Sequence, residues 1–169
     1  ATCNEIGQRR LLEMMEEFSL SDLAGVSDFI LTNSRKATLE RINALPPGKA
    51  SGHMTIDGYA SPIDLHVHLS IEENRILCDW TGTSGVDPKG INVPMVYTKA
   101  YACYALKCAI APEIPNNAAS LAPFEVTAPE GTIVNAPFPA PVALRHVIGH
   151  MVPDTVYDAL DKLLPDPVP

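Results

Sequence analysis

Small hydroxyl, carboxylate and glycine residues follow one predicted strand closely enough to line a binding site. The run from Asp79 to Thr83 reads Asp-Trp-Thr-Gly-Thr, and Gly90-Ile91-Asn92 follows after a short loop. Glycines allow close approach of the backbone to a ligand, while carboxylate, hydroxyl and amide groups supply convergent donors and acceptors. The pattern predicts a substrate-binding edge made of Asp79, Thr81, Gly82, Thr83 and Asn92. A second interpretation stays open, because Asp79 and Thr81 are equally typical of turns that only fix a loop.

A second candidate pair, Arg145 and His146, follows a proline-rich stretch. A guanidinium offers a planar set of donors that suits a carboxylate. We expect both residues to contribute to the substrate pocket or to a subunit contact. The alternative is that they bind backbone carbonyls of the proline-rich stretch. Replacing Arg145 or Asn92 by alanine in the assembled protein is expected to impair turnover more than folding.

Two sets of histidine and aspartate have spacings that metal ligands use, yet we predict no metal site in this chain. The first set is Asp64, His66 and His68, and the second is His146, His150 and Asp154. The first lies on the polar face of an amphipathic strand with no further ligand evident. Pro153 disturbs the helix that the second set needs. No phosphate-binding loop of the form GxxxxGK[ST] and no nucleophile-histidine pair occur either.

The hydrophobic periodicity predicts an α+β segment that opens with an antiparallel pair of helices over residues 1–45. One stripe consists of Leu11, Met14, Met15 and Phe18, and the second helix presents Val26, Phe29, Ile30, Asn33 and Ala37 on one face. Residues 49–81 then change to a period of two, which predicts a small antiparallel sheet. Its clearest strand has apolar residues at Ile63, Leu65, Val67, Leu69 and Ile71.

The second half of the sequence predicts a helix, a proline-rich wrap and a final helical part. Residues 94–110 form a helix opened by Pro94 that is apolar on most sides and therefore largely buried. Prolines at seven positions exclude long elements from 111–141 and leave short strands at 124–127 and 132–134. Residues 142–164 form one kinked helix or two short ones, with the bend at Pro153.

Composition excludes several classes of function. The 169 residues suffice for a single compact unit and carry a formal net charge of −8, without the basic stripe that nucleic acid requires. The apolar runs are too short to span a bilayer. The four cysteines, which lack C-x-x-C spacing, are predicted to be buried and reduced in a cytoplasmic protein.

The order of these motifs resembles the large subunits of the hydantoinase B/5-oxoprolinase family, including N-methylhydantoinase and acetone or acetophenone carboxylase subunits. The resemblance lies in Asp79-Trp80-Thr81-Gly82-Thr83, in Gly90-Ile91-Asn92-Val93-Pro94, in Pro115-Asn116, in Pro129-Glu130-Gly131, in the prolines from Pro137 to Pro141, and in Asp154. It extends from the helix around Arg9 to Pro165. Because the family's large subunits are several times longer, the chain is expected to be an internal or C-terminal-side portion of one.

The resemblance implies part of an ATP-dependent hydrolase of cyclic amides, in which this segment forms scaffold and one wall of the substrate chamber. It implies a hetero-oligomer with a hydantoinase A-type subunit or region that handles ATP and Mg, and a divalent metal held outside this segment. The segment itself is then expected to bind neither cofactor and to be inactive alone. Two alternatives stay open, which are a subunit of an ATP-dependent ketone carboxylase and a binding or scaffold module without catalysis.

Overall fold

A computed structural model of the chain describes residues 2–165 and 168. The predicted opening span 1–45 therefore begins one residue outside the described part. The helices are α1 (Thr2–Glu17), α2 (Ala24–Asn43), α3 (Met95–Ile110), α4 (Ala118–Leu121), α5 (His146–Gly149) and α6 (Met151–Leu160), and the strands are β1 (Gly48–Ile56), β2 (Ile63–Glu72), β3 (Arg75–Asp79) and β4 (Phe124–Thr127). The predicted α+β class is confirmed. Within the described residues, no helix combines the length and apolarity that crossing a membrane requires.

The four strands form one sheet in the order β1-β2-β3-β4. The alternation in β2 has the predicted effect, because its apolar positions are all buried while the polar positions between them are more accessible. β1 and β3 pair with β2 in antiparallel fashion, and the register places Gly52 opposite Val67 and Cys78 opposite Leu69. One face of the sheet is therefore apolar, and the other carries polar side chains.

The strands predicted over 49–81 pair in antiparallel fashion as expected, and β4 joins the sheet in parallel with β3. β4 has the predicted bounds, but it reaches the sheet after the crossover through α3, and such a crossover delivers a parallel strand. The strand predicted at 132–134 does not form. Thr132 makes only isolated bridges to Gly85 and Asn135, within a stretch of turns.

Helix α6 packs on the apolar face of the sheet at β1 and β2. A Cβ atom on Gly52 would overlap the carbonyl oxygen of Thr155, so glycine is what allows this helix to approach the strand. Helix α6 and the residues that follow it also bond to backbone groups at the free edge of β1. The backbone N–H of His53 donates to Asp158 Oδ2 at 2.9 Å, and Lys162 Nζ donates to the carbonyl oxygen of Ser51 at 2.8 Å.

Helix α3 has the predicted start and end, and its predicted burial is confirmed for most of its length. Thr98, Ala102, Leu106 and Ile110 are among its buried residues, and they face the sheet and α6. The exposed side chains lie along one face of the helix, where Val96 is 79% exposed and Tyr104 is 59% exposed.

The opening helices form, but their predicted apolar stripes do not pack into the core. α1 buries none of its residues, and α2 buries Ser34, Thr38 and Ile42 instead of the predicted face. Large apolar side chains at Ile6, Leu11, Leu12, Phe18, Val26, Phe29, Ile30 and Leu31 are exposed. Met14, Met15 and Ala37 are half-buried, and the rest of both stripes is exposed within the described part of the chain.

The break in the C-terminal helical part falls at His150 and not at the predicted Pro153. His150 ends α5 and precedes α6, which places Pro153 in the first turn of α6. A proline in the first turn costs no helical hydrogen bond, because the N–H at that position has no partner within the helix. Val142 to Arg145 form turns and not helix.

The cysteine prediction is partly confirmed. All four cysteines are free, and Cys78 and Cys103 are buried, but Cys108 is half-buried and Cys3 is exposed. Burial raises the pKa of the Cys78 thiol, which keeps it protonated and unreactive.

Candidate functional site

The polar side of the sheet carries a grid of imidazole, carboxylate and hydroxyl groups, which we call the polar sheet face. Its members are Ser51, His53, Thr55, Asp64, His66, His68 and Asp79. The register places His53 opposite His66, Thr55 opposite Asp64 and Ser51 opposite His68. Because α6 packs on the other side, these side chains are available to whatever lies against this face.

The centre of the polar sheet face is an imidazole stack held against one carboxylate. The rings of His53 and His66 stack with their centroids 4.2 Å apart, and His53 Nε2 lies 3.4 Å from Asp64 Oδ1. Thr55 Oγ1 donates to the same carboxylate oxygen at 2.7 Å. This hydroxyl, followed by the neighbouring histidines, lowers the pKa of Asp64. The carboxylate is therefore anionic at neutral pH and able to orient the His53 ring.

Sequence reasoning found Asp64, His66 and His68 but missed His53 and Thr55. A signal was present, since Ser51, His53 and Thr55 alternate with Gly52 and Met54 in the manner of an amphipathic edge strand. What the sequence lacked was the register that brings the two strands together. Among the described residues, no three His, Cys, Asp or Glu side chains converge to hold a metal ion.

The Asp79 to Thr83 segment continues the sheet as a tight loop. Asp79 Oδ1 accepts hydrogen bonds from the backbone N–H of Thr81 at 3.0 Å and from its hydroxyl at 2.8 Å. This is the turn-fixing role that the sequence left open. Gly82 adopts a φ of +96°, a conformation that favours glycine, and an added Cβ would lie 3.8 Å from the Cβ of His66. The loop thus lies beside the polar sheet face.

Thr83 extends the pairing of β2 beyond the end of β3. Its hydroxyl accepts from the backbone N–H of His66 and donates to the carbonyl oxygen of His66, both at 3.0 Å. Ser84 pairs with Asp64 in a similar way. Its hydroxyl accepts from the backbone N–H of Asp64, and its backbone N–H donates to the carbonyl oxygen of Asp64, both at 2.9 Å. Thr83 is 7% exposed, so its hydroxyl holds the loop against β2 and is not free for a ligand.

Asn92 is fully buried, and the protein occupies its whole amide group. Oδ1 accepts from the backbone N–H of Asp87 at 2.7 Å, and Nδ2 donates to the carbonyl oxygens of Asp87, Lys89 and Pro141 at 2.8, 3.0 and 2.9 Å. The backbone N–H of Leu144 donates to the carbonyl oxygen of Gly90 at 2.6 Å. These bonds join the 87–92 loop to the segment that precedes α5. Asn92 can thus shape a site through this loop, while its own amide has no capacity left for a ligand.

Arg145 and His146 lie beside that loop, on the exposed side of α5. Arg145 donates one bond through Nη1 to the carbonyl oxygen of Val142 at 3.1 Å, which leaves most of its donors free. The His146 and His150 rings are 5.9 Å apart, and His150 continues a stack with Tyr101 at 5.8 Å.

Tyr97 completes this stack, with its ring 4.5 Å from that of Tyr101 and nearly parallel to it. A Cβ on Gly149 would overlap the Tyr97 ring, so glycine lets α5 approach α3 here. The predicted site residues did not include Tyr97 or Tyr101, because the sequence does not show that this part of α3 lies beside the C-terminal histidines.

The predicted site residues therefore fall into two groups. Asp79, Thr81, Gly82 and Thr83 flank the polar sheet face, while Asn92, Arg145 and His146 meet at the junction of the 87–92 loop with α5. The Asn92 bonds and the pairing of Gly85 with Thr132 anchor the segment that connects the two groups. The first set of residues therefore lies beside the carboxylate and imidazole side chains of the polar sheet face. The second set offers a guanidinium next to stacked aromatic rings.

Comparison with known proteins gives this geometry a context. The family model described as hydantoinase B/oxoprolinase matches residues 1–169. A Pseudomonas sp. (strain NS671) protein, named as the B-type subunit of a D-/L-hydantoinase, is 30% identical over 96% of this chain and 30% of that protein. The 5-oxoprolinase 1 of Arabidopsis thaliana is 25% identical, over 92% of this chain and 13% of that protein.

Among solved structures, the ATP-dependent caprolactamase from Pseudomonas jessenii superposes with a TM-score of 0.81 at 18% identity. The match covers 95% of this chain and 28% of the caprolactamase chain, and at this identity it shows a shared fold. This chain spans less than a third of the length of each of these relatives. Since the family model matches the chain from end to end, the chain belongs to the hydantoinase B/oxoprolinase family.

Proposed function

We propose that this chain serves as one wall of the substrate chamber in an ATP-dependent hydrolase of cyclic amides. The observation that carries the proposal is the family match over all 169 residues, together with a fold shared with an ATP-dependent caprolactamase. Relatives named for hydantoin and 5-oxoproline point to the same bond, which is an amide within a small ring. The proposed substrate is therefore a small lactam, imide or hydantoin.

In this proposal the two groups of site residues have different tasks. The guanidinium of Arg145 orients a carboxylate or carbonyl oxygen of the substrate, assisted by His146. Asp79, Thr81, Gly82 and Thr83 shape the opposite boundary of the chamber through their loop. Asn92 contributes by fixing the loop that carries Gly90, and its side chain does not contact substrate.

The proposal assigns ATP with Mg to a hydantoinase A-type partner subunit or region in a cytoplasmic hetero-oligomer. The described residues contain no set of three metal-ligating side chains, and the sequence has no phosphate-binding loop of the Walker type. Neither ATP nor Mg fits the residues described here. In this division of labour the partner subunit or region would supply the ATP-dependent activation, and this chain's residues would hold the ring in place.

The test is reconstitution of the complete subunit that contains this chain with a hydantoinase A-type partner. ATP hydrolysis is measured with 5-oxoproline, hydantoin and caprolactam, and ring opening is followed in parallel. We expect ATP turnover that depends on a cyclic amide, and none from the 169 residues alone. Ring opening without ATP, or full activity of the isolated chain, would contradict the proposal. ATP turnover that depends on a ketone and bicarbonate would assign the carboxylase alternative.

Arg145→Ala in that assembly is expected to lower kcat/KM by about tenfold to a hundredfold, because a charge-assisted hydrogen bond to substrate is lost. Arg145→Lys should recover only part of the loss, since a lysine cannot make two parallel hydrogen bonds. Lys36→Ala is a matched control that also removes one exposed cation, and its kinetics should equal those of the wild type. Unchanged kinetics for Arg145→Ala would remove Arg145 from the site.

A further inference from the structure

A groove of about 700 Å³ lies between α3 and the segment that follows it. Its walls come from the exposed side of α3, from residues 112–116 and from Leu121 in α4, and none of the seven predicted site residues lines it. Val96, Ala100, Ile114 and Leu121 are among its apolar walls. The volume lies within the range of small-molecule sites, and such sites are apolar with a few placed polar groups.

Lys107 places a cation in the wall of this groove. The residue is 5% exposed, and its Nζ donates to the carbonyl oxygens of Ala111 and Ile114. A lysine ammonium has three N–H groups, so one is left without an acceptor among the described residues. No salt bridge to Lys107 occurs among the described residues, although the charge of Glu113, in the same lining, acts on the ammonium. Burial lowers the pKa of Lys107, and a bound anion would oppose that effect.

The charges around the groove also favour an anion. Lys99 lines the groove, and the acidic residue described in its lining is Glu113, whose Oε1 accepts from Arg41 Nε at 2.7 Å. The local balance is therefore positive, although the chain as a whole carries a net charge of −8. An anion that enters this groove meets two lysines, of which Lys107 is buried, together with apolar walls, while the carboxylate of Glu113 is held by Arg41.

We propose that the groove is a binding site for a small amphiphilic monocarboxylate, whose carboxylate accepts a hydrogen bond from Lys107 while its aliphatic part packs on α3 and Leu121. Charge complementarity selects the carboxylate, because a charged pair shielded from water is stronger than a neutral hydrogen bond. The apolar walls, which include Val96, Ala100 and Leu121, select an aliphatic tail. This inference stands apart from the proposed enzymatic function and holds whether or not the assembly opens cyclic amides.

The test is a titration of the 169-residue chain with sodium hexanoate, followed by calorimetry and by amide chemical shifts. Hexanamide serves as the matched neutral ligand, since it has the same tail without the charge. We expect hexanoate to bind with shift changes confined to α3 and residues 111–121, and hexanamide to bind at least about tenfold more weakly. Equal affinity of the two ligands would overturn the proposal, because the cation would then play no part.

Two variants probe the two halves of the site. Lys107→Met removes the charge and Ala100→Trp fills the groove at an exposed position of α3, and each is expected to weaken hexanoate binding at least about tenfold. Lys49→Met is the control, because it removes an exposed lysine on β1 that does not line the groove. If Lys107→Met does not fold, Ala100→Trp and the comparison with hexanamide decide. Wild-type affinity in Ala100→Trp, or no hexanoate binding at about 10 mM, would refute the site.

Discussion

Single polar side chains determine the shape of both loops at the candidate site. The hydroxyl of Thr83 bonds to the backbone of His66 where a neighbouring strand would otherwise do so. The amide of Asn92 joins two loop segments by hydrogen bonds. Both residues occur at the positions that the sequence marks as a binding edge, so the sequence located the loops correctly. It could not assign the roles, because the partner of Asn92 at Pro141 lies 49 residues away along the chain.

Replacing Asn92 by alanine is expected to lower the free energy of unfolding by about 2 to 3 kcal/mol, since backbone groups of Asp87, Lys89 and Pro141 lose the buried amide that joins them. This revises the expectation that Asn92→Ala affects turnover more than folding. Denaturant unfolding of the isolated chain measures the change. Thr81→Ala is the comparison at an exposed turn and should cost less than about 1 kcal/mol.

Asn92→Asp distinguishes hydrogen bonding from packing at this position. The carboxylate keeps the acceptor for Asp87 N–H but directs a second oxygen toward three carbonyl oxygens. It should therefore destabilise the fold at least as much as alanine does, despite its nearly equal size. A near-native stability for Asn92→Asp would contradict the assigned hydrogen bonds.

At the scale of elements, the chain is organised by how closely α6 and α3 approach the sheet. The period of two was sufficient to predict β2, and the proline before α3 was sufficient to predict where that helix starts. The pairing of β4 with β3 was not predictable, since four residues within a proline-rich segment do not show which strand will be their neighbour, although the helical crossover favours the parallel direction. The same holds for the helix break at His150, which depends on the packing of α5 against Tyr97.

Gly52→Ala is expected to destabilise the protein by about 2 to 4 kcal/mol, because its Cβ would overlap the α6 backbone at Thr155 and force the helix off the sheet. Gly7→Ala provides the matched comparison, since nothing lies within 4 Å of a Cβ at that helical position. There alanine should leave stability unchanged or raise the helicity of α1. Thermal unfolding and circular dichroism measure both, and equal effects of the two substitutions would contradict the packing argument.

The hydrogen bonds of Asp158 between α6 and β1 should make the free energy of unfolding depend on pH. Its hydrogen bond from Lys162, and then that from His53 N–H, lower its pKa in the folded state. A lowered folded pKa means that the stabilisation is fully present above the unfolded value of about 3.9 and is lost as pH falls through the folded pKa. Because the side chain is partly exposed, the effect should be about 0.5 to 1 kcal/mol.

The measurement compares the wild type with Asp158→Asn in denaturant unfolding between about pH 7 and pH 3. The stability difference between the two should be constant near neutral pH and shrink below about pH 4, where the wild-type carboxylate becomes protonated. A difference that grows on acidification would have the wrong sign and would exclude this role for Asp158.

At the scale of the whole molecule, stability is unevenly distributed. Most of the buried residues belong to the sheet, α3, α6 and the loops that follow β3 and β4, α2 contributes Ser34, Thr38 and Ile42, and α1 contributes none. Periodicity correctly predicted that α1 and α2 have apolar faces. It could not predict what covers those faces, because that depends on polypeptide outside the helices themselves.

Deleting residues 1–20 is therefore expected to change the free energy of unfolding of the remaining chain by less than about 0.5 kcal/mol. A helix of this length without tertiary contacts is marginal in water, so its amide hydrogens should exchange quickly. Hydrogen exchange and denaturant unfolding test the two statements. Strong protection of the α1 amides, or a large loss of stability after the deletion, would show that α1 is part of the cooperative unit.

The two ends of the sheet differ in a way that restricts how it can grow. At β1, the contacts from Asp158 and Lys162 occupy backbone groups that an incoming strand would need. β4 is short and forms the opposite end without an equivalent cover from α6. An incoming strand would therefore meet fewer occupied backbone groups beside β4 than beside β1, which makes the two edges of this sheet inequivalent.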